Sequence, residues 1–200
     1  MNSKIATAES KTKTSTPFLS DIVELRRRAR QHIEDGAVTS NYEGDRKVVT
    51  QMLNEALATE LVCVLRYRRH FYAADGLLAE AVKKEFLVHS NEEQEHADKI
   101  AERIVQLGGE PNFDPTGLMS RSHSEYKPGT TLDDMIKEDL IAERIAVESY
   151  TEMVRYLEGK DPTTRRMLES ILAVEEEHAE EMASMLKNVT DFTSNRGPRS

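Results

Sequence analysis

The chain has 200 residues, and its 38% hydrophobic content is enough for one sizeable core with a tail. A charged fraction of 32%, with only nine glycines and six prolines, favours long helices with charged surfaces over a β-sandwich or barrel. The net charge of −9 argues against nucleic acid as the main ligand, and the single cysteine, Cys63, excludes a disulfide framework and a four-cysteine metal site.

Three features of the chain predict a cytoplasmic protein with no membrane partner. No apolar run approaches the roughly 20 residues that a membrane-spanning helix requires. The N-terminal stretch MNSKIATAESKTKTSTPF carries lysines but no apolar centre, so it does not resemble a secretory signal. A lone cysteine fits a reducing compartment.

The first 46 residues are predicted to lie outside the main domain. Residues 1–17 are rich in Ser, Thr and Lys and predict a flexible tail. Residues 18–46 are expected to contain a short amphipathic helix that is capped by Ser20, carries Glu24 in its first turn and ends near Gly36.

Two long helices are predicted next, because apolar residues recur at steps of three and four. The first begins near Lys47 and ends at the Asp75-Gly76 break, and the second ends at Gly108-Gly109. The stripe of the first contains Val49, Leu53, Ala56, Glu60, Val64, Tyr67 and Phe71, and that of the second contains Val82, Phe86, His89, Glu93, His96, Ile100, Ile104 and Leu107.

Two more long helices follow, each with a recognisable start. Thr131 caps the third as part of a capping box with Asp134, and Asp161 caps the fourth with Pro162 at its first position. Gly159 ends the third. The third stripe contains Leu132, Ile136, Leu140, Glu143, Val147, Tyr150, Val154 and Leu157, and the fourth contains Leu168, Ile171, Glu175, His178, Met182 and Met185.

The segment between the second and third helices, from Glu110 to Thr130, has three prolines and two glycines and no sustained period, so it is predicted to be a long connection. The two short connections make two antiparallel helical hairpins, and the long one crosses over the bundle to join them. The sequence therefore predicts an all-α four-helix bundle over residues 47–190, with a polar C-terminal tail over residues 191–200.

Glutamate, alone or with histidine, interrupts the apolar stripe of all four helices. A buried carboxylate without a partner costs several kcal/mol, so a cluster of four demands compensation, and metal cations supply it. A Glu-x-x-His pair on one helix points both side chains at one ion. One Glu from each of two helices and a Glu-x-x-His from each of the others make two metal sites in carboxylate bundles, and the predicted ligands are Glu60, Glu93, His96, Glu143, Glu175 and His178.

An internal repeat strengthens the metal prediction. Tyr67 follows Glu60 by seven residues, and Tyr150 follows Glu143 by the same interval. A glycine, Gly76 in the first half, follows each of these glutamates by sixteen residues. The halves are therefore predicted to be related by approximate two-fold symmetry.

The ligand segments resemble those of the bacterioferritin family from Met52 to Asn188: ATELV, EEQEHAD, DLIAE and ILAVEEEH look like its four metal-binding segments. The resemblance implies a ferritin-like fold and a ferroxidase centre that oxidises Fe(II). It also implies two iron ions per subunit, Glu93 or a neighbouring carboxylate as the bridge, and Tyr67 close by. Manganese or zinc are the expected substitutes for iron.

Three departures from that family change the expectation. Gln94 stands where bacterioferritins have a haem-binding methionine, so haem is not expected. The C-terminal stretch TDFTSNRGPRS has no counterpart of the fifth helix that closes a 24-subunit shell, and the N-terminus is extended. The whole resembles Dps-like proteins that carry a bacterioferritin-type site inside each subunit, which favours a homo-oligomeric shell of twelve over twenty-four.

Other residues carry weaker predictions. His89 is either an accessory ligand or, as we favour, a hydrogen-bonded core histidine. Cys63 is expected to be a small buried residue, although it lies three positions from Glu60. Three histidines have no partner at metal-ligand spacing and are assigned no role: His32, His70 and His123.

The function expected from the sequence is storage and detoxification of iron, with protection against oxidative stress. Fe(II) is oxidised by peroxide or dioxygen, and Fe(III) is held in the shell. Two alternatives remain open: a di-iron or di-manganese peroxidase that stores nothing, and a shell that coats DNA through arginines of residues 26–30 and the lysine-bearing tail. DNA is a possible partner but is not favoured.

Overall fold

The computed structural model describes residues 21–194, which form six α-helices and no strand. The all-α prediction is confirmed. The predicted flexible tail over residues 1–17 lies outside the described residues, as does Ser20.

The short N-terminal helix differs from its prediction. α1 spans Ile22–Arg28, and Asp21 caps it by accepting a hydrogen bond of 2.8 Å from the Val23 N–H. The prediction that Ser20 is the cap is wrong, because the Asp21 carboxylate occupies that position. α1 ends well before Gly36, and a separate 3-10 turn covers Ile33–Asp35.

The four-helix bundle matches the predicted stripes. α2 spans Arg46–Ala73 and α3 spans Ala79–Gln106. α5 spans Leu132–Tyr156 and begins with the predicted capping box. α6 spans Pro162–Ser194, four residues beyond the predicted end at 190.

Side-chain contacts show that neighbouring bundle helices run antiparallel. On α2 and α5, Glu60 meets Tyr150 and His70 meets Asp139, so position rises along one helix as it falls along the other. On α3 and α6, His89 meets Glu181 and Arg103 meets Thr164. The connection between α3 and α5 must therefore run the length of the bundle.

That crossover is held along α2 by hydrogen bonds. Asn54, near the start of α2, donates to the Glu110 carbonyl at 3.1 Å, and His70, near its end, contacts the Pro128 carbonyl at 3.0 Å. The crossover also contains a four-residue helix, α4, at Leu118–Arg121, which the sequence analysis did not predict. Its N-cap is a left-handed Gly117.

Two apolar clusters fill the bundle, one toward each end. The first is built from α2, α3, α5 and α6 around Leu53, Ile104, Tyr150 and Leu168. The second surrounds Phe86, Ile136 and Met182. The interrupted positions of the stripes lie between the clusters, so polar side chains gather at the middle of the core.

α2 is long and apolar enough, by length and composition, to cross a membrane, which corrects the expectation that no segment approaches this threshold. However, 56% of its apolar window is buried inside the bundle. This burial is typical of a core helix in a water-soluble protein.

Candidate metal centre

The six predicted ligands lie together at the centre of the bundle. They come from four helices: one from α2, two from α3, one from α5 and two from α6. All are at most 2% exposed: Glu60, Glu93, His96, Glu143, Glu175 and His178. The helical repeat places each Glu-x-x-His pair on one face, and antiparallel packing brings the four faces into register.

The residues form two half-sites that share Glu93 and Glu175. Around His96 Nδ1 lie Glu60 Oε2 at 3.5 Å, Glu93 Oε2 at 3.8 Å and Glu175 Oε1 at 2.9 Å. Glu93 and Glu175 thus each direct one oxygen into this half-site.

The second half-site is built in the same way around His178 Nδ1. Glu93 Oε1 lies 3.7 Å away, Glu143 Oε2 3.8 Å and Glu175 Oε2 3.9 Å. Each shared carboxylate therefore directs its other oxygen here, which is the geometry of a bridging ligand. Glu93 or a neighbouring carboxylate was expected to be the bridge, and oxygens of both Glu93 and Glu175 lie in both half-sites.

Seven atoms that face into the centre are buried without a hydrogen-bond partner: Glu60 Oε2, Glu93 Oε1, His96 Nδ1, Glu143 Oε2, both Glu175 oxygens and His178 Nδ1. Buried polar atoms are nearly always paired, and each orphan costs about 1–3 kcal/mol. The side chains therefore fit a pair of cations, which would accept a lone pair from every one of these atoms.

The pKa values in the metal-free centre also show that its charges are not fully satisfied. Burial and the neighbouring charge of Glu93 raise the pKa of Glu60 and that of Glu175 well above the usual value. Burial lowers the pKa of both histidines, but the nearby carboxylates of Glu60, Glu93 and Glu143 outweigh it. The pKa of His96 is raised to about 9 and that of His178 to about 11. Protons thus partly neutralise the cluster when cations are absent.

Two tyrosines support the centre symmetrically. Tyr67 on α2 donates to Glu143 on α5, and Tyr150 on α5 donates to Glu60 on α2. Each tyrosine therefore orients a glutamate that belongs to a single half-site and comes from the other half of the internal repeat. Tyr67 was predicted to lie close to the centre, and the internal repeat places Tyr150 in the equivalent position of the second half.

Three further contacts surround the ligands, and their partners were not predicted from the sequence. His178 Nε2 lies 2.8 Å from Glu92 Oε2. His89 is 1% exposed and lies 2.8 Å from Glu181 and 3.2 Å from Tyr67. These pairs bridge helices, so no spacing along one helix reveals them.

His70, which was assigned no role, belongs to a second buried cluster. Its Nδ1 lies 2.7 Å from Asp139 Oδ2, while Arg66 Nε donates to Asp139 Oδ1 at 2.7 Å. Arg66 also donates to Ser124 Oγ on the crossover at 3.1 Å. This cluster joins α2, α5 and the crossover one turn from the centre.

Cys63 is a buried free thiol, 2% exposed, as expected. Burial raises its pKa well above the usual value. Its sulfur accepts a 3.5 Å hydrogen bond from Arg66 and is in neither half-site. The thiol therefore packs in the core beside the second cluster.

Comparisons with known proteins point to one family. Residues 50–192 match the family model described as Ferritin: Ferritin-like domain. A bacterioferritin from Desulfovibrio desulfuricans is 27% identical over 77% of this chain and 84% of its own length. A DNA protection during starvation protein from Pyrococcus furiosus is 33% identical over 67% of this chain and 74% of its own.

Solved structures show the same fold. A dodecameric thioferritin, the bacterioferritin-related protein from Bacteroides fragilis, superposes with a TM-score of 0.74 at 29% identity, covering 78% of this chain and 94% of that one. Dps from Thermosynechococcus elongatus superposes with a TM-score of 0.67 at 20% identity, covering 70% and 90%. On the matched family model and the shared bundle, this chain belongs to the ferritin-like family.

Proposed function

We propose that the chain is a ferroxidase subunit of an iron-storage shell, and that Fe(II) is its substrate. The observation that carries this proposal is the set of seven buried, unpaired donor atoms in two half-sites that share Glu93 and Glu175. Four glutamates balance the charge of two divalent ions. Carboxylates are hard ligands that suit both oxidation states of iron, and imidazoles suit the divalent state.

Each side chain has a definite place in this scheme. Glu60 and His96 hold one ion, and the second lies between Glu143 and His178. The shared pair, Glu93 with Glu175, sets their separation, which in two-metal sites is about 3.5–4 Å. Manganese and zinc fit the same donors and are expected to compete with iron.

Two ions at this separation deliver one electron each to a single oxidant. With hydrogen peroxide, two Fe(II) and two protons give two Fe(III) and two water molecules, so no radical is released. With dioxygen, the same two electrons and two protons give hydrogen peroxide. Anaerobic loading with Fe(II), followed by separate addition of each oxidant, identifies which one the protein uses.

We propose a homo-oligomer of twelve subunits in the cytoplasm, without haem. The similarity to the dodecameric protein from Bacteroides fragilis supports the subunit number. Gln94 donates to Asp98 Oδ1 at 3.0 Å and offers no thioether for haem. Light scattering gives the subunit number, and an absorption spectrum reports haem.

The DNA-coating alternative has less support in the described residues. Arg27 on α1 is bound by both oxygens of Glu24, at 2.7 and 2.8 Å, so part of the basic charge is already paired. The P. furiosus relative is named for DNA protection, and a gel shift that weakens steeply with salt would show that phosphate contacts exist here too. The storage-free peroxidase alternative shares the same centre and is distinguished by the absence of a mineral.

Paired substitution of the two shared ligands, Glu93→Ala and Glu175→Ala, tests the ferroxidase proposal. Alanine is the best helix former and each change removes a buried like charge, so the metal-free bundle should fold at least as well as the parent. Fe(II) oxidation, followed by stopped-flow absorbance, should fall to near the uncatalysed rate. Added Fe(II) or Zn(II) should raise the melting temperature of the parent, and should raise that of the variant much less.

The matched control is Glu95→Ala with Glu176→Ala, which removes two exposed glutamates from the same helices, α3 and α6. It should oxidise iron at the parental rate. If the assembled Glu93→Ala, Glu175→Ala variant oxidised iron as fast as the parent, the catalytic site would have to lie elsewhere.

A further inference from the structure

The short helix α1 lies outside the four-helix bundle and buries none of its seven residues. Isolated helices shorter than about 12–15 residues are only marginally stable in water, and packing of an apolar face supplies most helical stability in proteins. α1 has such a face, because Ile22, Leu25 and the C-cap Ala29 recur at steps of three and four. Ile22 is 56% exposed and Leu25 is 38% exposed. The described part of the subunit therefore leaves this apolar face uncovered.

The N-terminal segment that contains α1 is basic, whereas the rest of the chain is acidic. Residues 1–33 contain seven Lys or Arg and three Asp or Glu, a net charge of +4. The other 167 residues contain 20 and 33, a net charge of −13. Arg26 and Arg30, four positions apart beside the apolar face, are both exposed. Opposite charges on the two parts favour contact between the segment and an acidic surface of the same kind of chain.

A groove that suits such a helix lies between the start of α3 and the end of α6. Its volume is about 510 Å³, and apolar side chains from both helices line it: Leu78, Val82, Met185 and Phe192. Each wall also carries one carboxylate, Glu85 on α3 and Glu181 on α6. The Glu181 side chain is 44% exposed. Amphipathic helices bind grooves of this kind by laying their apolar face against them.

α1 is fixed at the opposite end of its own bundle. Arg28 donates to Asn41 at 2.7 Å, and the adjacent Tyr42 hydroxyl donates to Asp161 at 3.0 Å. Asp161 caps the start of α6, and Glu181 lies 20 residues along that helix, which is roughly 30 Å away at 1.5 Å per residue. α1 itself is only about 10 Å long. The groove of its own subunit is therefore out of reach.

We propose that α1 of one subunit docks into the α3–α6 groove of a second copy of this chain. Ile22 and Leu25 pack against the apolar walls, and Arg26 and Arg30 face the two groove carboxylates. This inference rests on the proposed homo-oligomer, because it needs a second copy. It depends neither on iron oxidation nor on a shell of twelve.

A disulfide between two differently tagged chains tests the docking. One chain carries Ile22→Cys, the other carries Ala81→Cys in the groove, and the two are co-expressed. The native Cys63 is buried and does not compete for oxidation. Mild oxidation of the assembled protein should give a linked pair that carries both tags. Pairing Ile22→Cys with Glu102→Cys, an exposed position 21 residues further along α3, is the control and should give several-fold less.

Two further substitutions in α1 show whether its apolar face makes the contact. Leu25→Asp, on that face, should lower the yield of the linked pair several-fold. Val23→Asp, on another side of the helix and at a position 68% exposed, should leave the yield unchanged. Both variants should keep the bundle folded, because α1 buries no residue in its own subunit.

An assembled oligomer that forms no link, or links Glu102→Cys as well as Ala81→Cys, would overturn the docking and leave the proposed homo-oligomer standing. An equal loss of yield in Leu25→Asp and Val23→Asp would also overturn it. Absence of the link together with sedimentation on phosphatidylserine vesicles, or with a DNA gel shift that Leu25→Asp abolishes, would assign α1 to a different partner. A monomer in light scattering would overturn both the docking and the homo-oligomer.

Discussion

Two clusters of ionisable side chains are buried side by side in this bundle, and they differ in how their charges are satisfied. In the cluster of Arg66, His70 and Asp139, both carboxylate oxygens are bonded at 2.7 Å and the guanidinium also binds the crossover. In the metal centre, seven inward-facing atoms have no hydrogen-bond partner. Both clusters are at most 2% exposed, so burial alone does not separate them.

Closure of the hydrogen-bond network therefore distinguishes a structural cluster from a candidate ligand site. In a closed cluster, internal hydrogen bonds and ion pairs offset the free energy of desolvation, and the cluster stabilises the fold only while all members are present. In an open cluster, the same desolvation free energy is not offset until a cation binds. The two clusters should therefore respond in opposite ways to the loss of a carboxylate.

The largest expected effect is loss of the carboxylate from the closed cluster. Asp139→Ala leaves the buried Arg66 guanidinium without its counterion, which should lower the free energy of unfolding by about 3–5 kcal/mol. Urea denaturation of metal-free protein at fixed subunit concentration measures this. The Glu93→Ala, Glu175→Ala variant should show no such loss.

An exposed ion pair provides the control for that measurement. Arg165 and Glu169 are 2.8 Å apart with side chains 37% and 44% exposed, and Glu169→Ala should change the free energy of unfolding by less than about 1 kcal/mol. A change of similar size in Asp139→Ala would show that the buried cluster does not depend on its closure.

The next effect concerns the pH dependence that the open cluster gives to stability. His96 and His178 have pKa values raised to about 9 and about 11 from an ordinary 6.5, so above pH 6.5 the folded, metal-free state holds more protons than the unfolded one. Its free energy of unfolding should therefore fall as pH rises through 9, by at most about 1.4 kcal/mol per pH unit for each histidine. Denaturation curves at pH 7, 8 and 9 measure the slope.

Bound cations should remove this pH dependence. Coordination requires both imidazoles to lose the proton from Nδ1, so metal binding at pH 7 should release protons and become tighter as pH rises. A pH indicator in weakly buffered solution counts the protons released by Zn(II). A flat profile for metal-free protein between pH 7 and 9 would contradict the raised pKa values.

The smallest effect is expected from the two tyrosines that contact the open cluster. Tyr67→Phe and Tyr150→Phe each remove one hydroxyl that donates to a ligand, and each should lower the metal-free unfolding free energy by about 1 kcal/mol. Tyr67→Phe should cost more, because it also removes the oxygen that contacts His89. Equal losses in urea denaturation would show that the His89 contact contributes no stability.

The sequence by itself determined the four bundle helices and the six residues of the centre. Backbone hydrogen bonds set the helical period, so Glu93 and His96 must share a face, and a capping box at Thr131 is a local interaction. The internal repeat also places Tyr67 and Tyr150 in equivalent positions. These properties depend on residues only a few positions apart.

Tertiary structure alone decided which side chains meet across helices. The pairing of Arg66 with Asp139 spans 73 residues, and that of His89 with Glu181 spans 92. The sharing of Glu93 and Glu175 between half-sites likewise depends on the axial offset and rotation of the helices. No local hydrogen bond sets that offset; packing of the two apolar clusters at the ends of the bundle does, because close-packed side chains admit few alternative arrangements.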